Sequence, residues 1–423
     1  EAYRRFGHLE ATLDPLGRLP VLRHPELTLE GPDAARARAC YCGTLALESA
    51  QIDDPARRAW LAQRMESPPP PLDRARILDE LVAAETFELS IQARYTGYKR
   101  FSLEGLTALV PFLTELLDGA AGAGAEQALL AMSHRGRLNV LANVVGRSPV
   151  EIFAGFEEVD PRSVLGAGDV KYHLGATGKR QTPSGHVLSI HLASNPSHLE
   201  AVVPVVMGRV KAKLVRKGDA SGRSALAVLL HGDSAFAGQG IAAEALNFAH
   251  LDGYSLGGAI HVVVNNLIGF TTEPNAYGST RYASDVAKRL PIPIFHVNAE
   301  DPEAVVRAAR LAIDYRTEFA SDVVVDLVGY RRHGHSEVDD PTVTQPLLYR
   351  KIKALPPLWQ SYAQSIGASA AAEERAELRK RELSDAQTAA AKLTRSPPLR
   401  ELPGYWSRYQ GGFFEPSLEI ATG

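Results

Sequence analysis

At 423 residues, 45% of them hydrophobic and 22% charged, the chain is long enough for a large α/β core beside a smaller helical part. Its net charge of −3 gives no hint of nucleic acid as a partner, and no stretch approaches the roughly 18 apolar residues of a membrane span. Two cysteines in the whole chain fit a reducing compartment. These two, Cys40 and Cys42, flank Tyr41 with no second pair elsewhere. That is a poor zinc site, and buried or free thiols are the expectation. The chain opens on Glu1 rather than Met, which leaves room for a removed leader.

Residues 1 to about 98 read as mostly helical. Arg36 to Gln51 and Pro55 to Met65 are short amphipathic stretches, and Asp73 to Leu89 resumes helical periodicity. Between the last two, Pro68-Pro69-Pro70-Pro71 must be extended, because proline fixes φ and blocks helix. From about 99 to 345 the pattern changes. Apolar runs at Gln127–Met132, Val187–Ala193, Ala225–Leu230, Ala259–Val264, Ile292–Val297 and Asp322–Val328 alternate with helical stretches such as Ile241–Ala249 and Pro302–Tyr315. Strands that are apolar throughout predict a parallel sheet covered by helices on both faces. Ligands bind at the carboxyl ends of such strands. Residues 346 to 423 read as a charged helix, Ala370–Leu393, followed by a Pro- and Gly-rich loop. No internal repeat is evident.

Several strand ends carry chemistry. After Gln127–Met132 comes Ser133-His134-Arg135-Gly136-Arg137-Leu138-Asn139. This is either a surface loop entering a helix or an anion-capturing loop, since helix N-termini and guanidinium forks both favour phosphate or carboxylate. Gly168-Asp169-Val170-Lys171-Tyr172-His173 places a histidine in a polar loop, more often a structural role. Val187–Ala193 runs into Ser194-Asn195-Pro196-Ser197-His198-Leu199-Glu200, where Pro196 excludes a central strand. His231-Gly232-Asp233-Ser234 ends an apolar run, and thirty-three positions after Asp233 another such run ends in Asn265-Asn266-Leu267-Ile268-Gly269. The first loop offers a carboxylate; the second offers the Asn266 amide and the Ile268 backbone carbonyl. Three oxygen ligands of this kind suit a hard octahedral ion such as Mg²⁺, with diphosphate oxygens and water completing the shell. Late in the chain, Tyr330-Arg331-Arg332-His333-Gly334-His335 follows the strand Asp322–Val328. Its two histidines could ligate zinc, but with no third ligand nearby a diphosphate contact fits the strand end better.

Together these runs resemble the thiamine-diphosphate-dependent decarboxylating (first) component of 2-oxoglutarate dehydrogenase. The Asp233–Asn266 spacing is similar to the diphosphate-binding signature of thiamine-diphosphate enzymes. Further matching runs are Tyr95–Gly105, His134–Asn139, Gly168–His173, Asn195–Glu200, Gly238-Gln239-Gly240, Asn265–Thr272, Phe295–Asn298, Asp301–Val305 and Tyr330–His335, with Gly7–Ala11 and Leu13–Gly17 near the N-terminus. The resemblance implies a thiamine-diphosphate-binding α/β fold over 99–345, a helical N-terminal domain over 1–98, and a linker over 346–423. By the same resemblance Asp233, Asn266 and the Ile268 carbonyl would hold Mg²⁺. Arg135, Ser197, Leu199, Ser234, Ala235 and His335 would line thiamine diphosphate, and His134 and His173 would act on substrate. A histidine suits that role, because it can neutralise the distal carboxylate of 2-oxoglutarate and also move protons.

The implied reaction is oxidative decarboxylation of 2-oxoglutarate in the tricarboxylic acid cycle, with the succinyl group passed to a lipoyl-bearing succinyltransferase partner. The implied setting is the bacterial cytoplasm, or the mitochondrial matrix in a eukaryote, with a homodimer or a second chain completing the site. Three departures stand out. Ser234 replaces a glycine of the broader signature, and Leu267 stands where the family usually has Gln. The family also continues into a second α/β domain that supplies a glutamate to the cofactor's aminopyrimidine ring, so the 423 residues alone are expected to be catalytically silent. Two other enzymatic readings keep the chemistry and change the substrate, to 2-oxoadipate or to a branched 2-oxo acid. A further reading makes the chain a non-catalytic cofactor-binding subunit.

Overall fold

A computed structural model describes residues 1–157, 170–195 and 198–393. Their strands form one mixed sheet: β1 (Leu45–Glu48), β2 (Gln127–Met132), β3 (Ala176–Gln181), β4 (Val187–Leu192), β5 (Ala225–Gly232), β6 (Ala259–Asn265), β7 (Ile294–Asn298) and β8 (Val323–Val328). The spatial order is β1-β7-β8-β6-β5-β2-β4-β3. The six inner strands run parallel, and β1 and β3 close the edges antiparallel.

The central parallel strands are largely apolar because both of their faces are covered, and polar residues they carry, such as His296 and Asp326, are buried against partners. In β5, Leu226, Val228 and Leu230 enter one core, while Ala225, Ala227 and Leu229 enter another. Successive side chains point to opposite faces, so a strand with two buried faces has no solvent side for polar alternates. The larger core is built with helices Arg74–Arg94, Leu109–Gly122 and Pro302–Phe319. Each fully buried Leu or Phe there contributes about 1.5–3 kcal/mol. Helix Val202–Lys217 covers β2 and β5 on the other face, and it ends at Gly218 in the left-handed conformation. Among the described residues no helix is long and apolar enough to cross a membrane.

Two segments differ from the sequence expectation. The stretch Arg36–Gln51 is not one helix. Helix Pro32–Tyr41 stops at Cys42, and Leu45–Glu48 becomes an edge strand on β7. Its partner lies about 250 positions away, so local periodicity does not report it. Ala176–Gln181 is also a strand, although its sequence is polar and contains Gly178. Its alternate residues face solvent, and a Cβ on Gly178 would collide with the Val145 carbonyl. The strand expected from Ile292 begins at Ile294, past Pro293.

β1 also completes a buried ionic cluster. His296 of β7 donates from Nε2 to Glu48 (2.8 Å) and from Nδ1 to Asp326 (3.0 Å). Burial opposes charge on this imidazole, but the two carboxylates prevail and hold it up at about 9, against an ordinary 6.5. A folded value above the unfolded one stabilises the native state fully below about pH 6.5, and that contribution is lost as pH rises through about 9. Its size is on the order of 3 kcal/mol. The melting temperature is therefore expected to fall as pH rises from neutral through about 9, with a flatter profile for His296→Gln. A wild-type profile that stays level over this range would contradict the assignment.

Candidate functional site

The inner strands end together at one edge of the sheet, and the strand order reverses between β2 and β5. Ligands bind at such switch points. A cavity of about 560 Å³ opens there, lined by the loops after β2, β4, β5, β6 and β8. The backbone just before Arg331 of the cavity wall packs closely against the segment at Gly105. Gly105 sits at φ +92°, its carbonyl accepts from Tyr330 N at 3.2 Å, and a Cβ on Gly329 would collide with that oxygen.

Asp233 follows β5 directly and is 2% exposed. Tyr277 donates its hydroxyl to Asp233 Oδ2 at 2.6 Å. Burial pushes the Asp233 carboxyl up to about 6, although the Tyr277 hydroxyl and backbone N–H groups oppose the shift. Ser234 and Ala235 follow it in the cavity wall. Asn266, just after β6, is buried, and its Oδ1 has no hydrogen-bond partner among the described residues. An orphaned acceptor beside a buried carboxylate is an unfavourable pair unless something positive binds both. Ile268 is buried in the same wall. Leu267 between them takes φ +54°; its N–H donates to Asn265 Oδ1 at 3.0 Å, and Asn265 Nδ2 donates to Asp326 at 2.9 Å.

Cationic groups face this pair. Arg135 donates to the Ser102 and His335 carbonyls, each at 3.0 Å. Burial lowers its guanidinium to about 10, so it stays charged at neutral pH. Arg331 is buried and donates to the Phe270 and His333 carbonyls. Neither arginine forms a salt bridge among the described residues. His335 stands at the mouth, edge-on to Phe270 (4.9 Å) and Phe101 (5.6 Å). Partial burial, then the guanidiniums of Arg135 and Arg331, lower it to about 4, so it is neutral at physiological pH.

Of the remaining expected site residues, His134 lines the cavity, and Leu199 lines it while largely exposed. His173 stands edge-on to His134 with ring centroids 4.9 Å apart, and its Nδ1 donates to the Asn195 carbonyl. Ser197 and its neighbour Pro196 lie outside the described residues, as do Gly168, Asp169 and the tail beyond 393. The structure separates His333 from His335. His333 turns away and donates to Glu104 at 2.7 Å, beside the Arg100–Glu337 ion pair. Glu104, His333 and Glu337 are close enough for a metal, but Arg100 already donates to Glu337, and Ser102 and His333 to Glu104.

Sequence reasoning missed Tyr277, Arg331 as an individual contact, and the aromatic rim of Phe101 and Phe270. Tyr277 lies 44 positions from the carboxylate it holds, and no local pattern marks it. Taken together, the cavity offers two side-chain oxygen donors for a hard cation and, for an anion, two guanidiniums without a salt bridge among the described residues. That combination suits a metal-bound diphosphate.

The family described as dehydrogenase E1 component matches residues 79–399. A multifunctional 2-oxoglutarate metabolism enzyme of Mycolicibacterium vanbaalenii is 43% identical over 402 residues, covering 86% of this chain and 32% of that protein. A 2-oxoglutarate dehydrogenase E1/E2 component of Corynebacterium glutamicum is 43% identical over 403 residues, covering 86% of this chain and 33% of its own length. The chain thus spans about a third of the length of the curated relatives it matches.

Proposed function

The chain belongs to the dehydrogenase E1 component family, and from that premise we propose that it is the diphosphate-binding part of a thiamine-diphosphate-dependent 2-oxoglutarate dehydrogenase of the tricarboxylic acid cycle. The observation that carries the reading is the buried Asp233–Asn266 pair, with its orphaned Oδ1, facing Arg135 and Arg331 across one cavity. The donor set fits the group: a carboxylate, an amide oxygen and the Ile268 carbonyl would hold Mg²⁺, and the guanidiniums would meet diphosphate oxygens. Bound thiamine diphosphate supplies the electron sink that lets a 2-oxo acid lose CO₂.

The chain's own residues bind, orient and move protons. Leu199, Ser234, Ala235 and His335 form walls against the cofactor, with Ser197 assigned there by resemblance. Arg135 provides positive charge for the diphosphate, while its neighbour His134, with His173, faces the substrate's distal carboxylate. The His173 Nδ1–H bond to the Asn195 carbonyl sets that ring's tautomer and orientation. In this reading residues 99–345 are the diphosphate-binding unit, flanked by 1–98 and 346–423. The succinyl group passes to a lipoyl-bearing succinyltransferase, and a homodimer or a pyrimidine-binding domain completes the site. The working compartment is the bacterial cytoplasm, or the mitochondrial matrix in a eukaryote.

Isothermal titration of the chain with thiamine diphosphate tests the reading. Saturable binding is expected with Mg²⁺ and not with EDTA. Equal heats in the two buffers, or none in either, would overturn it.

A further inference from the structure

Residues 12–20, from the far N-terminal part of the chain, reach the loop after β6, whose Asn266 and Ile268 line the cavity. The Asp14 carboxylate accepts from the backbone N–H groups of Leu16 (2.8 Å), Arg18 and Leu19 (2.8 Å), and Gly17 supplies φ +65°. A carboxylate saturated by three backbone donors makes a stiff turn. The turn aims Arg18 at the loop after β6. Arg18 Nη1 donates to the Leu267 carbonyl at 2.7 Å, and Nη2 lies 3.5 Å from Glu273. The loop reciprocates: Arg281 donates to the Pro20 carbonyl at 2.8 Å and Tyr282 to the His8 carbonyl at 2.9 Å.

Leu267 is the residue between Asn266 and Ile268. Its left-handed backbone costs about 1–3 kcal/mol for a residue with a side chain, and persists only where its surroundings over-determine it. Asn265 holds its N–H from within β6. Arg18 holds its carbonyl from 249 positions away. The orientation of these two peptide groups decides where the Asn266 amide and the Ile268 carbonyl point.

We propose that Arg18 is a positioning residue for the cation site: by gripping the Leu267 carbonyl it keeps Asn266 and Ile268 in the cavity wall beside Asp233. This rests on the cation-site reading above. A bland surface link would instead leave both the loop and the site indifferent to its loss.

The test compares wild type, Arg18→Met and Arg18→Lys. Amide hydrogen exchange of the cofactor-free chain is read over 266–278, with β5 as an internal reference. Titration with Mg²⁺ and thiamine diphosphate is the second measurement. Arg18→Met should speed exchange in 266–278 by about tenfold, the scale of one lost hydrogen bond, with β5 unchanged. It should also weaken Mg²⁺-dependent binding by about 10–100-fold, the range for an outer-shell partner. Arg18→Lys, which restores a donor, should fall between, and it carries the test should Arg18→Met misfold. Unchanged exchange over 266–278 would overturn the proposal. So would a loosened loop with unchanged Mg²⁺-dependent affinity. A wild-type chain that took up no cofactor would count against the cofactor reading instead, and the exchange comparison would still decide Arg18's hold on the loop.

Discussion

Asp233→Ala is expected to remove Mg²⁺-dependent binding of thiamine diphosphate while leaving the fold in place. Among the described residues of the cavity wall, Asp233 is the one acidic group besides Glu200, and Glu200 is engaged by His231 at 2.6 Å. Without Asp233 a divalent cation keeps only neutral oxygen donors, and the diphosphate charge is left to Arg135 and Arg331. Affinity should drop by at least the roughly 10–100-fold typical of losing an outer-shell partner, because a direct ligand is lost. Stability should respond differently. Burial raises the Asp233 carboxyl to about 6, so its ionised form is strained in the cation-free protein. Removing a poorly compensated buried charge is often neutral or stabilising. The melting temperature without cofactor should therefore hold or rise, offset by the Tyr277 hydroxyl losing its acceptor. Unchanged affinity in Asp233→Ala would sink the metal assignment. A collapse in melting temperature would make Asp233 a structural residue.

The second large effect concerns the histidine pair. In a protein that carries the complete active site, His134→Ala or His173→Ala should lower 2-oxoglutarate turnover by about 10²–10⁴, the range for a lost acid–base group. Cofactor affinity should change little, since neither imidazole is among the groups proposed to hold Mg²⁺ or the diphosphate. The two rings meet edge-on at 4.9 Å, and Tyr172 and Phe101 pack around His134. Such packing fixes ring orientation, so the two substitutions should be far from additive when combined. Turnover and cofactor binding are measured on the same preparations. If binding collapses while turnover per bound cofactor survives, the pair serves the cofactor and not the substrate.

Much of the fold is legible from local pattern. Gln127–Met132, Ala225–Leu230 and Ala259–Val264 are largely apolar runs because both faces of these inner strands are buried, and that signal needs no knowledge of partners. The residue types at the ends of those strands follow in the same way. A carboxylate after one strand, an amide after the next and basic residues after others sit at one edge because parallel strands share a direction. The helix starts are equally plain in the chain: Asp54, Asp73 and Asp301 each accept from backbone N–H groups there.

Contacts between segments far apart in the chain depend instead on the assembled sheet. Leu45–Glu48 becomes a strand because β7 offers an edge, not because of its own periodicity. His333 and His335, two positions apart, part company because Glu104 draws one of them inward. Tyr277 finds Asp233, and Arg18 finds the carbonyl of Leu267, across 44 and 249 positions. The physical reason is the same in each case. Burial periodicity is a property of one segment against any apolar surroundings. A hydrogen bond of defined geometry depends on where two loops are brought by the whole sheet.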